Sequence, residues 1–332
     1  MTLPAFDRSP AYSTRRGRAY VGDSRDLIRQ LPDGCLDLVI TSPPFALQRQ
    51  KAYGNLDQME YLDWLTEFAA ALRPKLKETG SFVIDIGGAY QKGVPSRSLY
   101  NFRVPIRLCD ELDYFLAQDF YWFNPSKLPS PIEWVNKRKI RAKDSVNNLW
   151  WFSKTEWPKS NASKVLAPYS ERMKLLIKDP EKFYTPKIRP SGHNIGSSFG
   201  KDNGGAIPSN LLTIPNTESN GKYLAGCKLV GSKGHPARFP ARLPEFFIRF
   251  LTEPGDLVLD IFAGSNTTGQ VAEAEGRNWL AFEERRDYVA ESVFRFMNSA
   301  ATSLELEAAY RAVQEDDRLD LSGLDQQASF GF

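Results

Sequence analysis

The chain has 332 residues, 42% of them hydrophobic and 25% charged, with 43 Lys+Arg against 40 Asp+Glu for a net charge of +3. That length can bury one large core or two moderate ones, and the balance excludes wholesale disorder and a fibrous repeat. No apolar run approaches the roughly 18 residues a membrane span needs, and the opening MTLPAFDRSP has no signal-peptide segment, so neither a membrane nor a secreted protein is expected.

Two short β-rich runs come first, RAYVG (18–22) and LDLVIT (36–41), separated by the helical DSRDLIRQL. From Gln58 to Leu72 the apolar Leu62, Leu65, Phe68, Ala69 and Leu72 follow a helical period. SFVIDIG (81–87) is nearly continuous in its apolar character, like a strand buried on both faces of a parallel sheet. A helix around Ile106–Leu112 leads to the strand DFYWFN (119–124), and NNLWWFSK (147–154) reads as another strand. From about Trp157 to Gly234 periodicity is weak, and RPSGHNIGSSFGKDNGG (189–205) is a flexible loop by composition. The alternation resumes with helix ARLPEFFIRFLTE (241–253), strand LVLDIF (257–262), a helix, strand NWLAFE (278–283) and a last helix. No internal repeat is visible, and the final 30 or so residues read as an acidic packing or solubility tail. This alternation predicts an α/β fold built on a doubly wound sheet.

The small net charge hides an uneven distribution. Residues 120–240 carry 20 Lys+Arg and 8 Asp+Glu, a net of +12, while the remainder carries −9. A basic central third is what a polyanion-binding face looks like, although charge alone fits a solvated lysine-rich surface equally well. The three cysteines, Cys35, Cys109 and Cys227, are widely separated and form no CxxC pair, which points to a reducing cytoplasm rather than a disulfide framework or a zinc site. Two histidines leave little room for a histidine-rich metal site.

Two segments carry chemistry. In VITSPPFALQ (39–48) a buried strand runs directly into Ser42, Pro43, Pro44 and Phe45, and ligands of open α/β sheets sit beyond the carboxyl ends of strands. Consecutive prolines remove two N–H donors and leave rigid carbonyl acceptors beside an aromatic face, which suits an amino group on a flat heterocycle. A bare SPP also fits a simple turn. In LVLDIFAGSNTTGQVAEAEGRNWLAFEE (257–284) a strand enters a small-residue loop, and Gly264 precedes Glu283 by 19 residues. That spacing matches a glycine loop followed by an acid that binds ribose hydroxyls. The loop lacks both G-x-G-x-x-G and Gly-Lys-Ser/Thr, so a ribose-containing cofactor without pyrophosphate, such as S-adenosyl-L-methionine, fits it. Asp85, in SFVIDIGG, ends an apolar strand where an unpaired carboxylate is costly. It reads either as a partner of Ser42 that orients it or takes up a proton, or as a cap or ion-pair residue.

TSPPF followed far downstream by DIFAGSNTTG resembles the DNA amino-methyltransferases, in the subgroup whose catalytic motif precedes the cofactor motif. FALQRQKAYGN, FYWFNPSKLPSPIEWVNKRKIR, WWFSKTEWPKS and HPARFPARLPEFFIR resemble the PvuII-type cytosine-N4 enzymes of restriction–modification systems, over about residues 18–298. The resemblance implies a Rossmann-like S-adenosyl-L-methionine-dependent methyltransferase fold, a doubly wound mixed sheet with an inserted DNA-recognition region. The implied divisions are an N-terminal extension (1–17), a catalytic half (18–154), a target-recognition region (155–234), a cofactor half (235–298) and the acidic tail (299–332). Ser42, Pro43, Pro44 and Phe45 match the catalytic loop, where Ser and the first Pro carbonyl accept from the target amino group and Phe stacks on the extruded base. Glu283 matches the ribose-binding acid, and Asp23 an acidic position near the adenine. Asp260, Phe262, Ala263, Gly264, Ser265, Asn266, Thr267 and Thr268 match the loop around the methionine part, and His235 to Pro240 resembles the segment that closes that pocket. Ser stands where adenine-N6 enzymes usually carry Asp or Asn, which favours cytosine N4.

The reaction so implied is direct in-line methyl transfer to an exocyclic nitrogen of a flipped-out cytosine, without metal or covalent intermediate. No cysteine follows a proline, as one does in cytosine-C5 enzymes. By the same resemblance the target is CAGCTG, modified at its inner cytosine and so protected from a cognate restriction endonuclease. Double-stranded DNA is the expected partner and the endonuclease a genetic partner only. A palindromic site lets a cytoplasmic monomer act on each strand in turn. Lys137, Arg138, Lys139, Arg141 and Lys143 lie between two predicted strands, where they could grip phosphates. His193, Asn194, Lys201 and Asn203 have the chemistry to read bases, though each fits a plain loop residue as well. An adenine-N6 methyltransferase, a non-catalytic DNA-binding protein on the same fold and a dehydrogenase remain open alternatives.

Overall fold

The computed structural model describes residues 3–44, 58–180, 201–217 and 220–323. Its strands are β1 (Tyr12–Ser13), β2 (Gly17–Val21), β3 (Leu36–Thr41), β4 (Leu76–Gly87), β5 (Phe115–Phe123), β6 (Val146–Ser153), β7 (Leu211–Thr213), β8 (Leu257–Asp260), β9 (Asn278–Glu283) and β10 (Leu319–Asp320). They form one mixed sheet in the order β10-β1-β2-β9-β8-β3-β4-β6-β5-β7. The central run β2-β9-β8-β3-β4 is parallel throughout, and β6 runs antiparallel to both β4 and β5.

Strand alternation sorts the core to the two faces. Leu38 and Ile40 of β3 pack with Phe247, Ile248 and Leu251 of the helix Arg242–Leu251, whereas Val39 packs with Leu62, Leu65, Phe68 and Ala69 of the helix Gln58–Leu72. Both faces of β3 are covered, so all six of its residues are buried, the apolar Leu36, Leu38, Val39 and Ile40 together with the polar Asp37 and Thr41. Truncating a fully buried ring such as Phe247 to Ala should remove about 3–5 kcal/mol.

The helix expected from Ile106 begins six residues earlier, at Tyr100, with Pro105 inside it. Proline cannot donate to the Asn101 carbonyl four residues back, and Trp150 Nε1 donates to that carbonyl at 3.0 Å instead. The acidic tail does pack: the helix Ser303–Gln314, started by a Thr302/Glu305 capping box, buries Ala309 and Val313, and β10 pairs with β1. The extension 1–17 likewise supplies β1 and the fully buried Tyr12.

The chain divides into two compact units, Met1–Ser160 with Asn210–Phe332, and Asn161–Ser209. The smaller unit is therefore shorter than the region 155–234 singled out in the sequence. Residues 210–234 belong to the larger unit, because β7 pairs with β5 and the helix Gly221–Leu229 buries Tyr223 and Cys227 in its core. Among the described residues no helix is long and apolar enough to cross a membrane.

Candidate active site

Parallel strands end on one edge, and this edge carries the site. β3 continues to β4 on one side while β8 continues to β9 on the other, so the crossovers diverge between β3 and β8. At that switch point a crevice opens beyond the carboxyl ends. It is a cleft of about 690 Å³, lined among others by Asp23, Ser42, Pro43, Pro44, Tyr61, Trp64, Phe68, Asp85, Lys127, Asn147, His235, Phe262 and Glu283.

At one end the chain leaves β3 as Ser42-Pro43-Pro44. Ser42 Oγ donates to Asp85 Oδ2 at 3.0 Å, and Asn147 Nδ2 donates to Asp85 Oδ1 at 2.9 Å. Asp85 comes from β4 and is 4% exposed; Asn147 enters on β6, opposite Gly87. Burial pushes the Asp85 carboxyl up to about 6, against the opposing effects of Asn147, Ser42 and the Lys127 charge. The result is a hydroxyl held by a carboxylate that is more basic than usual yet mostly ionised at neutrality, which is the condition for accepting a proton.

At the other end Glu283 closes β9. Its carboxylate accepts from the backbone N–H groups of Gly264 at 2.8 Å and Arg285 at 3.0 Å, and burial raises it to about 7. Trp64 and Phe68 meet Phe262 at 5.2 and 4.9 Å between ring centroids, giving the cleft an aromatic wall, with the Arg25 guanidinium over Phe68. Asp23 caps the helix Ser24–Gln30 and accepts from Arg25, which holds its carboxyl below the ordinary range. Gly264 has φ +49, and a Cβ there would stand 3.0 Å from the His235 ring. That segment is tied down in turn, since His235 N donates to Tyr223 Oη and Tyr223 Oη donates to Glu291.

This set of groups fits a nucleoside bearing a cationic side arm. Each Glu283 oxygen spends one acceptor site on the backbone and keeps capacity for ribose hydroxyls. The acidic residues Asp23, Glu283 and Glu284 beside it suit a sulfonium and oppose a pyrophosphate. Arg25 and Arg285 are already engaged by Asp23 and Asp287. Among the described residues no cluster of three or more His, Cys, Asp or Glu could hold a metal.

The structure therefore brings Ser42, Pro43, Pro44, Asp85, Asp23, Phe262 and Glu283 to one cleft. Phe45 lies outside the described residues, as do His193 and Asn194. Asp260, Ala263, Gly264, Ser265, Asn266, Thr267 and Thr268 do not line the cleft wall. Asp260 instead joins the two halves, accepting from Thr41 Oγ1 at 2.6 Å, Thr268 Oγ1 at 2.7 Å and Phe262 N. Asn266 caps the helix Thr267–Ala274 and donates to Tyr12 Oη, and Ser265 accepts from Arg295. These residues fix the loop from behind.

The basic segment is engaged in three ways. Lys137 and Arg138 pair with Glu133 at 3.2 and 3.0 Å; Arg141 donates to the carbonyls of Ile140 and Pro95; Lys143 donates to those of Pro125 and Lys127. Lys139 sits at φ +55. In the smaller unit, Asn203 N donates to Tyr169 Oη and Asn203 Nδ2 to the Lys201 carbonyl. Lys127, Asn147, Tyr61 and Trp64 were not singled out in the sequence. The aromatics did leave a signal, since Tyr61, Trp64 and Phe68 recur at helical spacing and line one wall.

A family model of DNA methylases matches residues 36–294. The chain is 65% identical over 319 residues to the type II methyltransferase M.PvuII of Proteus hauseri, covering 96% of this chain and 95% of that one. The solved structure of PvuII DNA methyltransferase (cytosine-N4-specific) matches with a TM-score of 0.80 at 55% identity, covering 96% of this chain and 100% of that one. A putative DNA modification methylase from Thermus thermophilus, in complex with S-adenosyl-L-methionine, matches with a TM-score of 0.52 at 19% identity over 93% of this chain and 99% of that one, a likeness of fold alone.

Proposed function

This chain belongs to the DNA methylase family, and from that premise we propose that it is a type II modification enzyme methylating cytosine N4 in a short double-stranded DNA site. The observation that carries the reading is the convergence of Ser42 and Asp85 with Glu283 in one cleft at the switch point. The 65% identity to M.PvuII supports CAGCTG, modified at the inner cytosine, as the target.

When bound, S-adenosyl-L-methionine supplies an activated methyl group. The chain supplies geometry and acceptors. The Ser42 oxygen and the Pro43 carbonyl accept from the two amino hydrogens of the cytosine, which withdraws the nitrogen lone pair from the ring and makes it more nucleophilic. Asp85 holds Ser42 through Oδ2, and the proton lost from the amino group passes by way of Ser42 to that carboxylate. Asn147 fixes the other carboxylate oxygen. Glu283 binds the ribose hydroxyls, Phe262 with Trp64 and Phe68 forms the apolar wall for the adenine, and Asp23 lies at its rim. The loop from Asp260 to Thr268 holds the chain around the methionine part, with His235 against Gly264.

The region 155–234 reads the target, and the basic segment from Lys137 to Lys143 contacts phosphates. We place the enzyme in the cytoplasm as a monomer, paired genetically with an endonuclease of the same specificity. Mass spectrometry of nucleosides from CAGCTG-containing DNA treated with the chain and S-adenosyl-L-methionine tests the reading. N4-methylcytosine is expected, at a rate about 10²-fold lower for Ser42→Ala. N6-methyladenine without N4-methylcytosine would overturn it.

A further inference from the structure

Beside the cleft, the chain holds an apolar side chain out in water on a stiff loop. After β5 it runs Asn124-Pro125-Ser126-Lys127-Leu128-Pro129-Ser130-Pro131, with three prolines in eight residues. The loop is braced from both sides. Asn124 N donates to the Ser145 carbonyl at 2.9 Å and Asp144 N to the Ser130 carbonyl at 2.9 Å, while Lys143 Nζ donates to the carbonyls of Pro125 and Lys127 at 3.1 and 3.3 Å. Asn124 and Lys127 line the cleft, yet Leu128 is 81% exposed. A single exposed leucine is ordinary. One fixed by so many backbone contacts, next to the cleft-lining Lys127, is positioned for contact with a partner.

The partner follows from charge and place. Lys137, Arg138 and Lys139 follow on the same insertion, which favours a polyanion. A base can reach Ser42 and Asp85 only if it leaves its stack, and this vacates an apolar gap of one base step in the duplex. We propose that Leu128 enters that gap, filling the space the target cytosine leaves, while Lys127 faces the nucleotide turned into the cleft. Apolar side chains are known to stabilise opened base steps in this way. The inference rests on the reading of the chain as an enzyme acting on a base in duplex DNA.

The experiment compares Leu128→Ala with the unaltered chain on two duplexes, one with the target cytosine paired to guanine and one with it opposite an abasic site. On the paired duplex kcat/KM should fall about 10- to 100-fold. Opposite the abasic site, where nothing must be unpaired, the loss should shrink to less than about threefold. Leu128→Phe should retain activity on both. Fluorescence of 2-aminopurine at the target position should rise with the unaltered chain and stay low with Leu128→Ala. Leu304→Ala, which removes another exposed leucine at 78% exposure far along the chain, is the control and should match the unaltered chain. Equal activity of Leu128→Ala on the paired duplex, or an equal loss on both duplexes, would refute the insertion. If the unaltered chain methylates neither duplex, it is the underlying reading that fails.

Discussion

The two edges of one parallel sheet treat buried carboxylates in opposite ways. At the amino-terminal edge Asp37, 3% exposed, accepts from Lys77 at 2.7 Å, Lys159 at 3.2 Å and Leu257 N at 3.0 Å. Lys159 also reaches Asp256 at 2.6 Å; burial alone would raise that carboxyl, but the ammonium beside it holds it below the ordinary range. At the carboxyl edge Asp85 and Asp260 are also buried and Glu283 is partly so, and desolvation raises all three. Among the described residues their partners are hydroxyls, an amide and backbone N–H groups, with no ion pair. Charge is neutralised where the fold has only to persist. It is left without a counter-ion at Asp85 and Glu283, which line the cleft, and at Asp260 just behind it, whereas the more exposed Asp23 at the rim is paired with Arg25.

The most direct way to break this contrast is Asp85→Ala. It should lower the methylation rate by about 10³-fold, within the range for losing a positioned acid–base group, while the protein stays folded. A loss below tenfold in single-turnover assays would mean that the unpaired carboxylate at this edge serves structure only. The mirror substitution is Asp37→Asn. Breaking a buried pair typically costs about 3–5 kcal/mol, and urea unfolding should register that loss with kcat at 25 °C changed less than twofold. A large fall in kcat without a fall in stability would reverse the roles assigned to the two edges.

Protonation sharpens the comparison because the edges carry opposite signs. Asp85 and Glu283 titrate near 6 and 7 in the folded chain and near 4 when unfolded. Between about pH 4 and 7 the folded state therefore binds more protons, so these two groups make stability fall as pH rises through that window. Asp256 does the reverse, contributing stability at higher pH that is lost as pH falls through its depressed value. Melting curves of Asp85→Asn from pH 5 to 8 should show a shallower decline than the unaltered chain. Activity should follow the opposite course, dropping about tenfold per pH unit below about 6 as Asp85 becomes protonated. A flat rate profile across pH 5–7 would exclude Asp85 as the group that takes the proton.

The contrast also explains what could be read in advance. LDLVIT and NWLAFE coincide with β3 and β9 residue for residue, because strands covered on both faces are apolar through their centres, Leu38 to Ile40 and Trp279 to Phe282. Their carboxyl ends then located Ser42 and Glu283. Two-residue strands such as β1 and β10 leave no periodic trace, so the joining of the two termini in the sheet was not legible. Asn147 lay inside a run read as a strand, and only the antiparallel register of β6 against β4 carries its amide to Asp85. The loop Asp260–Thr268 has the composition of a ligand-lining loop, but of the residues singled out in it only Phe262 faces the cleft, while Asp260, Asn266 and Thr268 turn inward to cap a helix and to join β3 to β8. Composition reports which groups are available; direction comes from the fold.

The smallest effect belongs to the basic insertion. Lys137 and Arg138 both lean on Glu133, so DNA must displace an exposed ion pair of little net strength before it gains a phosphate contact. Lys137→Ala should weaken DNA binding only about two- to threefold at moderate salt, equally for cognate and random duplexes, and lower the salt slope by about 1. Lys143→Ala should behave differently. Its ammonium spans the Pro125 and Lys127 carbonyls, so its loss frees the loop that carries Leu128, and the defect should be larger on a paired target than on random DNA. Filter-binding slopes for the two variants separate a cation that screens phosphates from one that braces the backbone. Equal slopes and equal sequence dependence would show that both do no more than add charge.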